Sequence, residues 1–194
     1  MHENIAGFVL AGGESSRMGR DKSQLTLNGE TFVDRVAAQL AAVTKSVTLV
    51  GMKSGSRTHA QVTDIYPNWG ALGGVHAALA SSEAEWCLIV ACDFPFVTRL
   101  LFERLASLRE TYDAVAPVQG DGIPQPLCTL YRVDPCLARA SELINSGERK
   151  PIALLQSVRT RWAACSEFED LPGAERFFVN INTPQDYEAL RKER

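Results

Sequence analysis

The sequence predicts a doubly wound α/β sandwich, three layers deep, around a mostly parallel sheet. Three observations carry that prediction. Short apolar runs alternate with stretches of helical periodicity along the chain. Trp86 to Ala91 is almost continuously apolar, as a central strand covered on both faces must be. The first apolar run, Ile5 to Leu10, opens directly into a glycine-rich loop, Leu10 to Lys22, which places a close backbone approach at a strand's carboxyl end.

The remaining elements follow in order. Leu25-Thr26-Leu27 runs into the turn dipeptide Asn28-Gly29, and Thr31 offers an N-cap for a helix from Phe32 to Val43. In that helix Phe32, Val36, Leu40 and Val43 share one face. Val47 to Val50 reads as a strand, Gly51 to Gln61 as a loop, and Val62 to Ile65 as a short strand ending in the Asp64 carboxylate. Pro67 to Gly70 is a turn, Gly73-Gly74 permits close packing, and Val75 to Ala80 is helical in character. Beyond the central strand, Leu100 to Leu108 is a helix, Ala114 to Val118 is extended, and Gly120-Asp121-Gly122 is a turn. Leu127 to Arg132 forms a strand and Cys136 to Asn145 a helix that Gly147 stops. Pro151 to Val158 is helical, and strands are expected at Arg161 to Cys165 and, more strongly, at Phe177-Phe178-Val179. Thr183-Pro184-Gln185-Asp186 combines a cap, a proline at the first helical position and an acid in the first turn, so a last helix runs to about Lys192.

With 194 residues, 45% of them hydrophobic and 22% charged, the chain suits one domain over 1–194 with one substantial core. The net charge of -3 argues against a nucleic-acid surface, which needs a basic face, so local basic clusters are local sites. Met1 to Asn4 lacks a basic leader and the first apolar segment is too short to span a membrane, so the expected location is cytoplasmic. The five cysteines contain no C-x-x-C pair, and most of them read as buried thiols. His2, His59 and His76 lack ligand spacing.

The chemistry is concentrated in the first loop. Gly12, Gly13, Gly19, Ser15, Ser16, Arg17, Arg20 and Lys22 combine free amides and cations beside a strand's end, which is how protein surrounds phosphate oxygens. A Walker A loop does not fit, because Gly19 is followed by Arg20-Asp21-Lys22-Ser23, and the adjacent Gly12 and Gly13 fail the dinucleotide spacing. At the carboxyl ends of parallel strands, where ligands of such sheets collect, the reading also places Asp64, Asp93 and Asn180. Asp93, an acid ending a buried strand beside a phosphate loop, suits a divalent cation, and magnesium needs only one or two carboxylates besides phosphate oxygens.

Leu10-Ala11-Gly12-Gly13, Ser16-Arg17-Met18-Gly19 and Asp21-Lys22 resemble the signature loop of the molybdenum cofactor guanylyltransferases, within the wider nucleotidyltransferase family. The similarity continues at Asp64, Gly70 to Gly74, Cys92-Asp93-Phe94-Pro95, Gln125-Pro126-Leu127 and Val179 to Pro184, nearly the whole chain. The resemblance implies a Rossmann-like nucleotidyltransferase fold that transfers GMP from GTP to molybdopterin and releases pyrophosphate, with Mg2+ at Asp93. It implies nucleotide contacts from Leu10, Ala11, Gly12, Gly13, Lys22, Asp64 and Asp93, catalytic roles for Arg17, Lys22 and Asp93, and pterin contacts from Asn180 and Asn182. Molybdoenzymes or cofactor-insertion proteins are the implied protein partners. Gly51 stands where guanylyltransferases often carry asparagine, and Gln125 where many relatives have histidine. Cytidylyltransferases commonly read Leu-Ala-Ala-Gly in the loop, so Gly12 is expected to leave room for guanine. A cytidylyl or sugar-phosphate transferase and a non-catalytic nucleotide or cofactor adaptor are the alternative functions.

Overall fold

The computed structural model describes residues 4–12, 25–52, 58–181 and 183–192. In chain order the elements are β1 (Ile5–Leu10), β2 (Thr26–Leu27), β3 (Glu30–Thr31), α1 (Phe32–Ala41), β4 (Val47–Val50), β5 (Ala60–Val62), α2 (Gly70–Ala80), β6 (Trp86–Ala91), α3 (Arg99–Ser107), β7 (Ala114–Pro117), β8 (Cys128–Arg132), α4 (Val133–Asn145), α5 (Pro151–Ser157), β9 (Thr160–Ala163) and α6 (Pro184–Lys192). Seven strands form one sheet in the order β5-β4-β1-β6-β8-β7-β9, and every strand but β8 runs the same way. Among the described residues no helix is long and apolar enough to cross a membrane.

Alternate residues of the central strands feed two separate cores. Val9, Leu88 and Val90 meet Val36 and Leu40 of α1 and Phe102 and Leu105 of α3 on one face. Phe8, Cys87 and Ile89 meet Val75 and Leu79 of α2, Ala140 of α4 and Leu154 of α5 on the other. This is the three-layer sandwich expected from the alternation of strand and helix. β1 and β6 are buried at every position, which is why they read as unbroken apolar runs.

The local signals work as their chemistry requires. Thr31 Oγ1 accepts the Asp34 N–H at 3.1 Å and caps α1. Thr183 Oγ1 accepts from Asp186 N at 3.1 Å while Asp186 Oδ2 accepts from Thr183 N at 2.8 Å, a reciprocal box that starts α6. Asn28 and Gly29, both at positive φ, make the tight turn of the β2–β3 hairpin. That hairpin and α6 pack together through Leu25, Leu27, Phe32, Ile181 and Leu190, with Phe96 and Tyr187 against them.

Three expectations are corrected. Phe177-Phe178-Val179 is not a strand: Gly173, at φ +81, opens a 3-10 turn over Ala174–Arg176, and Phe177 and Val179 donate back to Ala174 and Arg176. Its apolar composition serves packing, for Phe178 stands edge-on to both Phe168 and Phe177. The fifth strand ends at Val62, so Asp64 lies in the following loop. α2 begins at Gly70 rather than Val75, and all its residues from Leu72 to Leu79 are buried, which leaves no amphipathic period to read.

Candidate active site

The strand register lines up one edge of the sheet. Leu10 pairs with Val50 and with Ala91, and Val50 pairs with Val62, so the ends of β1, β4, β5 and β6 form a single row. Just beyond that row stand Ala11 and Gly12, Gly51, Asp64, and Cys92 with Asp93. The loops after β1 and β4 are tied directly: Ala11 N and Gly12 N both donate to Val50 O, at 3.0 and 3.1 Å. Cys92 N donates to Leu10 O at 3.1 Å and brings the third loop into line.

The crossing of the first two loops leaves no room for a side chain on Gly12 and strains one on Gly51. A Cβ on Gly12 would lie 2.6 Å from the Gly51 carbonyl oxygen and 2.8 Å from its Cα. Gly51 itself has φ +72, and a Cβ there would lie 3.0 Å from Gly12 Cα and 3.6 Å from Asp64 Oδ1. The expectation that Gly12 leaves room for a purine is therefore corrected: the space it leaves is filled by Gly51. Gly73 has a similar task inside α2, since a Cβ there would meet Trp69 Cβ at 2.9 Å. Gly74 meets only Leu10 and Asp64 Oδ1, at 3.6 to 4.0 Å, which is ordinary contact.

Asp64 is half-buried between Gly51 and the first turn of α2, and burial raises its carboxyl above the usual aspartate range. Its loop is anchored from outside. Trp69 Nε1 donates to Glu148 O at 2.8 Å across the α4–α5 connection, and the Tyr66 ring stands edge-on to His76, 5.0 Å between centroids. His76 Nε2 lies 3.1 Å from Ser141 Oγ, whose own proton goes to Leu137 O, so Nε2 carries the hydrogen. Burial lowers His76 and keeps it neutral, a packing role that agrees with its lack of ligand spacing.

Asp93 is half-buried beyond β6, and its carbonyl accepts the Ile181 N–H at 3.1 Å. That bond brings the segment carrying Asn180 to the same edge. The Asn180 side-chain oxygen is buried and has no hydrogen-bond partner among the described residues. Gly13, Arg17, Lys22 and Asn182 lie outside the described residues. The edge thus brings together Leu10, Ala11, Gly12, Asp64, Asp93 and Asn180.

β5 and β6 are separated by β4 and β1. Asp64 and Asp93 therefore follow strands that lie three inter-strand steps apart in the sheet. Among the described residues no three His, Cys, Asp or Glu side chains cluster as a metal site. Gln125 is buried at a turn, its N–H on Pro117 O and its carbonyl accepting from Thr129 Oγ1 at 2.7 Å, so its main chain holds the β7–β8 connection. Cys87, Cys128 and Cys136 are buried thiols pushed up to about 12 by desolvation, outside the range of a nucleophile at neutral pH.

A mostly parallel sheet with a glycine crossing and two acidic residues at its carboxyl edge defines an α/β protein of the kind that collects ligands at that edge. Residues 7–161 match the model of the MobA-like NTP transferase domain, and the chain belongs to that family. It is 34% identical over 183 residues to a protein of Pelotomaculum thermopropionicum named "Probable molybdenum cofactor guanylyltransferase", covering 93% of this chain and 88% of that one. It is 33% identical over 184 residues to the molybdenum cofactor guanylyltransferase of Vibrio atlanticus, covering 92% of this chain and 91% of the relative. The crystal structure of molybdopterin-guanine dinucleotide biosynthesis protein A from Archaeoglobus fulgidus superposes with a TM-score of 0.83 at 23% identity, over 97% of each chain, which establishes the shared fold.

Two outcomes follow. Gly12→Ala should lose about 1 to 3 kcal/mol of stability by urea denaturation, from overpacking against Gly51, whereas Gly74→Ala should be neutral or stabilising. Asp64→Asn should melt at or above the wild-type temperature at pH 7. A carboxyl whose folded pKa is raised penalises the fold above that pKa, and the penalty disappears as pH falls through it toward the unfolded value. The melting difference between Asp64→Asn and wild type should therefore shrink on acidification.

Proposed function

We propose that the protein transfers GMP from GTP to the terminal phosphate of molybdenum-loaded molybdopterin, releasing pyrophosphate and forming the guanine dinucleotide form of the cofactor. The observation that carries this reading is the row of Gly12, Gly51, Asp64 and Asp93 along consecutive strand ends, in a chain whose family relatives are named for guanylyl transfer. In the reaction an acceptor phosphate oxygen forms a bond to the α-phosphorus of GTP. The bond from that phosphorus to the bridging oxygen breaks, and the electron pair leaves with pyrophosphate. A phosphate monoester, with a second pKa of about 6, is largely dianionic at neutral pH and needs no side-chain base. The protein's work is alignment and charge neutralisation.

The backbone of Leu10, Ala11, Gly12 and Gly13 lies along the nucleotide, Asp64 contacts its nucleoside, and Lys22 and Arg17 hold the triphosphate and the departing pyrophosphate. Asn180 and Asn182 contact the pterin. Asp93 would hold a magnesium ion, which when bound would supply positive charge to the phosphate oxygens. The residues fit such an ion, since a half-buried carboxylate lies beside the segment bearing the buried amide oxygen of Asn180, both hard oxygen donors. The five free cysteines suit a reducing compartment, the cytoplasm, where molybdoenzymes or cofactor-insertion proteins would receive the product.

The test supplies GTP, CTP, ATP and UTP in parallel with molybdopterin and magnesium and measures pyrophosphate. GTP should be used best. Better use of CTP would move the protein to the cytidylyltransferases, and nucleotide binding without pyrophosphate would make it an adaptor. In the same assay Asp93→Asn should keep the wild-type melting temperature and lose about a hundredfold or more in kcat. Near-normal turnover at saturating magnesium would remove Asp93 from the metal site.

A further inference from the structure

The loop that carries Asp93 is held from outside by two side chains of α1. Arg35 and Gln39 stand about one turn apart on that helix and so face the same way. Arg35 Nε donates to Pro95 O at 3.3 Å, and Gln39 Oε1 accepts the Arg99 N–H at 3.0 Å. The pair grips both ends of the segment that runs from Pro95 to the start of α3. Arg35 also reaches the other way, for its Nη1 lies 3.1 Å from Glu30 Oε2 on β3. One guanidinium therefore joins the β2–β3 hairpin to the loop after β6.

Pro95 is buried and, as a proline, has no N–H, so its carbonyl is the polar handle that the residue offers. Among the described residues no main-chain N–H takes that carbonyl. Without Arg35 a buried acceptor would lose its partner, and the loop would turn to recover one. Asp93 lies two residues earlier. Upstream its place is set by Cys92 N on Leu10 O, and its own carbonyl accepts the Ile181 N–H; Arg35 supplies the tie downstream. Magnesium tolerates little error in such a ligand, because it demands near-ideal octahedral geometry at short range. A carboxylate that turns with its loop would meet the ion poorly, while the loops after β1 and β4 stay as they are. Lysine could not replace Arg35 in full, since a single ammonium has no fork to serve two acceptors in fixed directions.

Resting on the guanylyl-transfer reading, we propose that Arg35 is a positioning residue of the site: through the Pro95 carbonyl it holds the Asp93 carboxylate where a divalent ion can join it to the phosphates of GTP. The test is GTP affinity by titration calorimetry, below the melting temperature, once with magnesium and once with EDTA. The ratio of the two affinities is the gain that the ion brings. In Arg35→Met the gain should shrink by about tenfold, the lower end of what a lost supporting bond costs a metal site, while affinity in EDTA keeps its wild-type value. Arg35→Lys should recover part of the gain, and Asp93→Asn should abolish it. No gain in the wild type would overturn the proposal. So would a loss of GTP affinity in EDTA as large as the loss with magnesium, which would make Arg35 a support of the fold alone. Equal gains in wild type and Arg35→Met would also overturn it, and pyrophosphate release alongside that result would spare the transfer reading. A wild-type protein whose gain is lost in Arg35→Met, but which releases no pyrophosphate with molybdopterin present, would end the transfer reading and leave Arg35 as the brace of a metal-binding carboxylate.

Discussion

The contact between Gly12 and Gly51 is the constraint on which the site depends. Two loops leave adjacent parallel strands and cross with no side chain between them, and both amides of the first loop share the Val50 carbonyl of the second strand. A methyl on Gly12 would lie 2.6 Å from the Gly51 carbonyl oxygen and would have to push the crossing apart. Through Gly51 the displacement would reach Asp64, whose Oδ1 sits 3.6 Å from the position of a Gly51 Cβ. Through Leu10 it would reach the loop of Asp93, because Cys92 hangs from the Leu10 carbonyl. One backbone crossing therefore sets the relative placement of groups that come from four strands.

The two carboxylates at the ends of this row have different environments and suit different tasks. Asp64 is kept in place by packing, with Trp69 hydrogen-bonded to the α4–α5 connection and Tyr66 against His76. Burial raises its carboxyl above the usual aspartate range, so the placement works against its charge. Asp93 is placed by main-chain bonds on both sides, to the β1 end through Cys92 and to the Asn180 segment through Ile181. The pair follows strands that stand at the two ends of the row, β5 and β6.

Much of this was legible from residues alone, for reasons that differ by element. β1 and β6 announced themselves because burial on both faces leaves only apolar residues. α1 and α6 were readable because their caps are local chemistry, decided by Thr31 and by Thr183 with Asp186. Phe177 to Val179 misled because three apolar residues carry no sign of their partner: they close a 3-10 turn onto Phe168 instead of joining the sheet. The first turns of α2 were hidden by the lack of any polar face. Asp93 stands just after β6, as its place behind an unbroken apolar run suggested, while Asp64 lies in the loop beyond β5 and not within a strand. The stack of Arg176 on Phe96 had no such signal, since the two residues stand eighty positions apart in the chain. A single arginine in an acidic chain gives no periodicity and no spacing to read.

The glycine crossing also bears on how such a site could tell one base from another. If Gly12 cannot carry a methyl because Gly51 occupies that space, then the glycine is a requirement of the chain and not a measure of the ligand's size. Excluding a larger base by a pocket wall would in any case give only about 1 to 3 kcal/mol per methylene-sized difference, while leaving a buried hydrogen-bonding group unpaired discriminates far more strongly. Discrimination then falls to groups that can donate or accept. Gly51 keeps the space beside the Asp64 carboxylate open, and an L residue there would have to adopt φ near +72, a conformation that asparagine tolerates better than most. This chain leaves the backbone of Gly51 and the carboxylate of Asp64 as the polar surface at that end of the row, so under the proposed activity base selection depends on hydrogen bonding there, and Gly12 acts on it only by holding the two loops together.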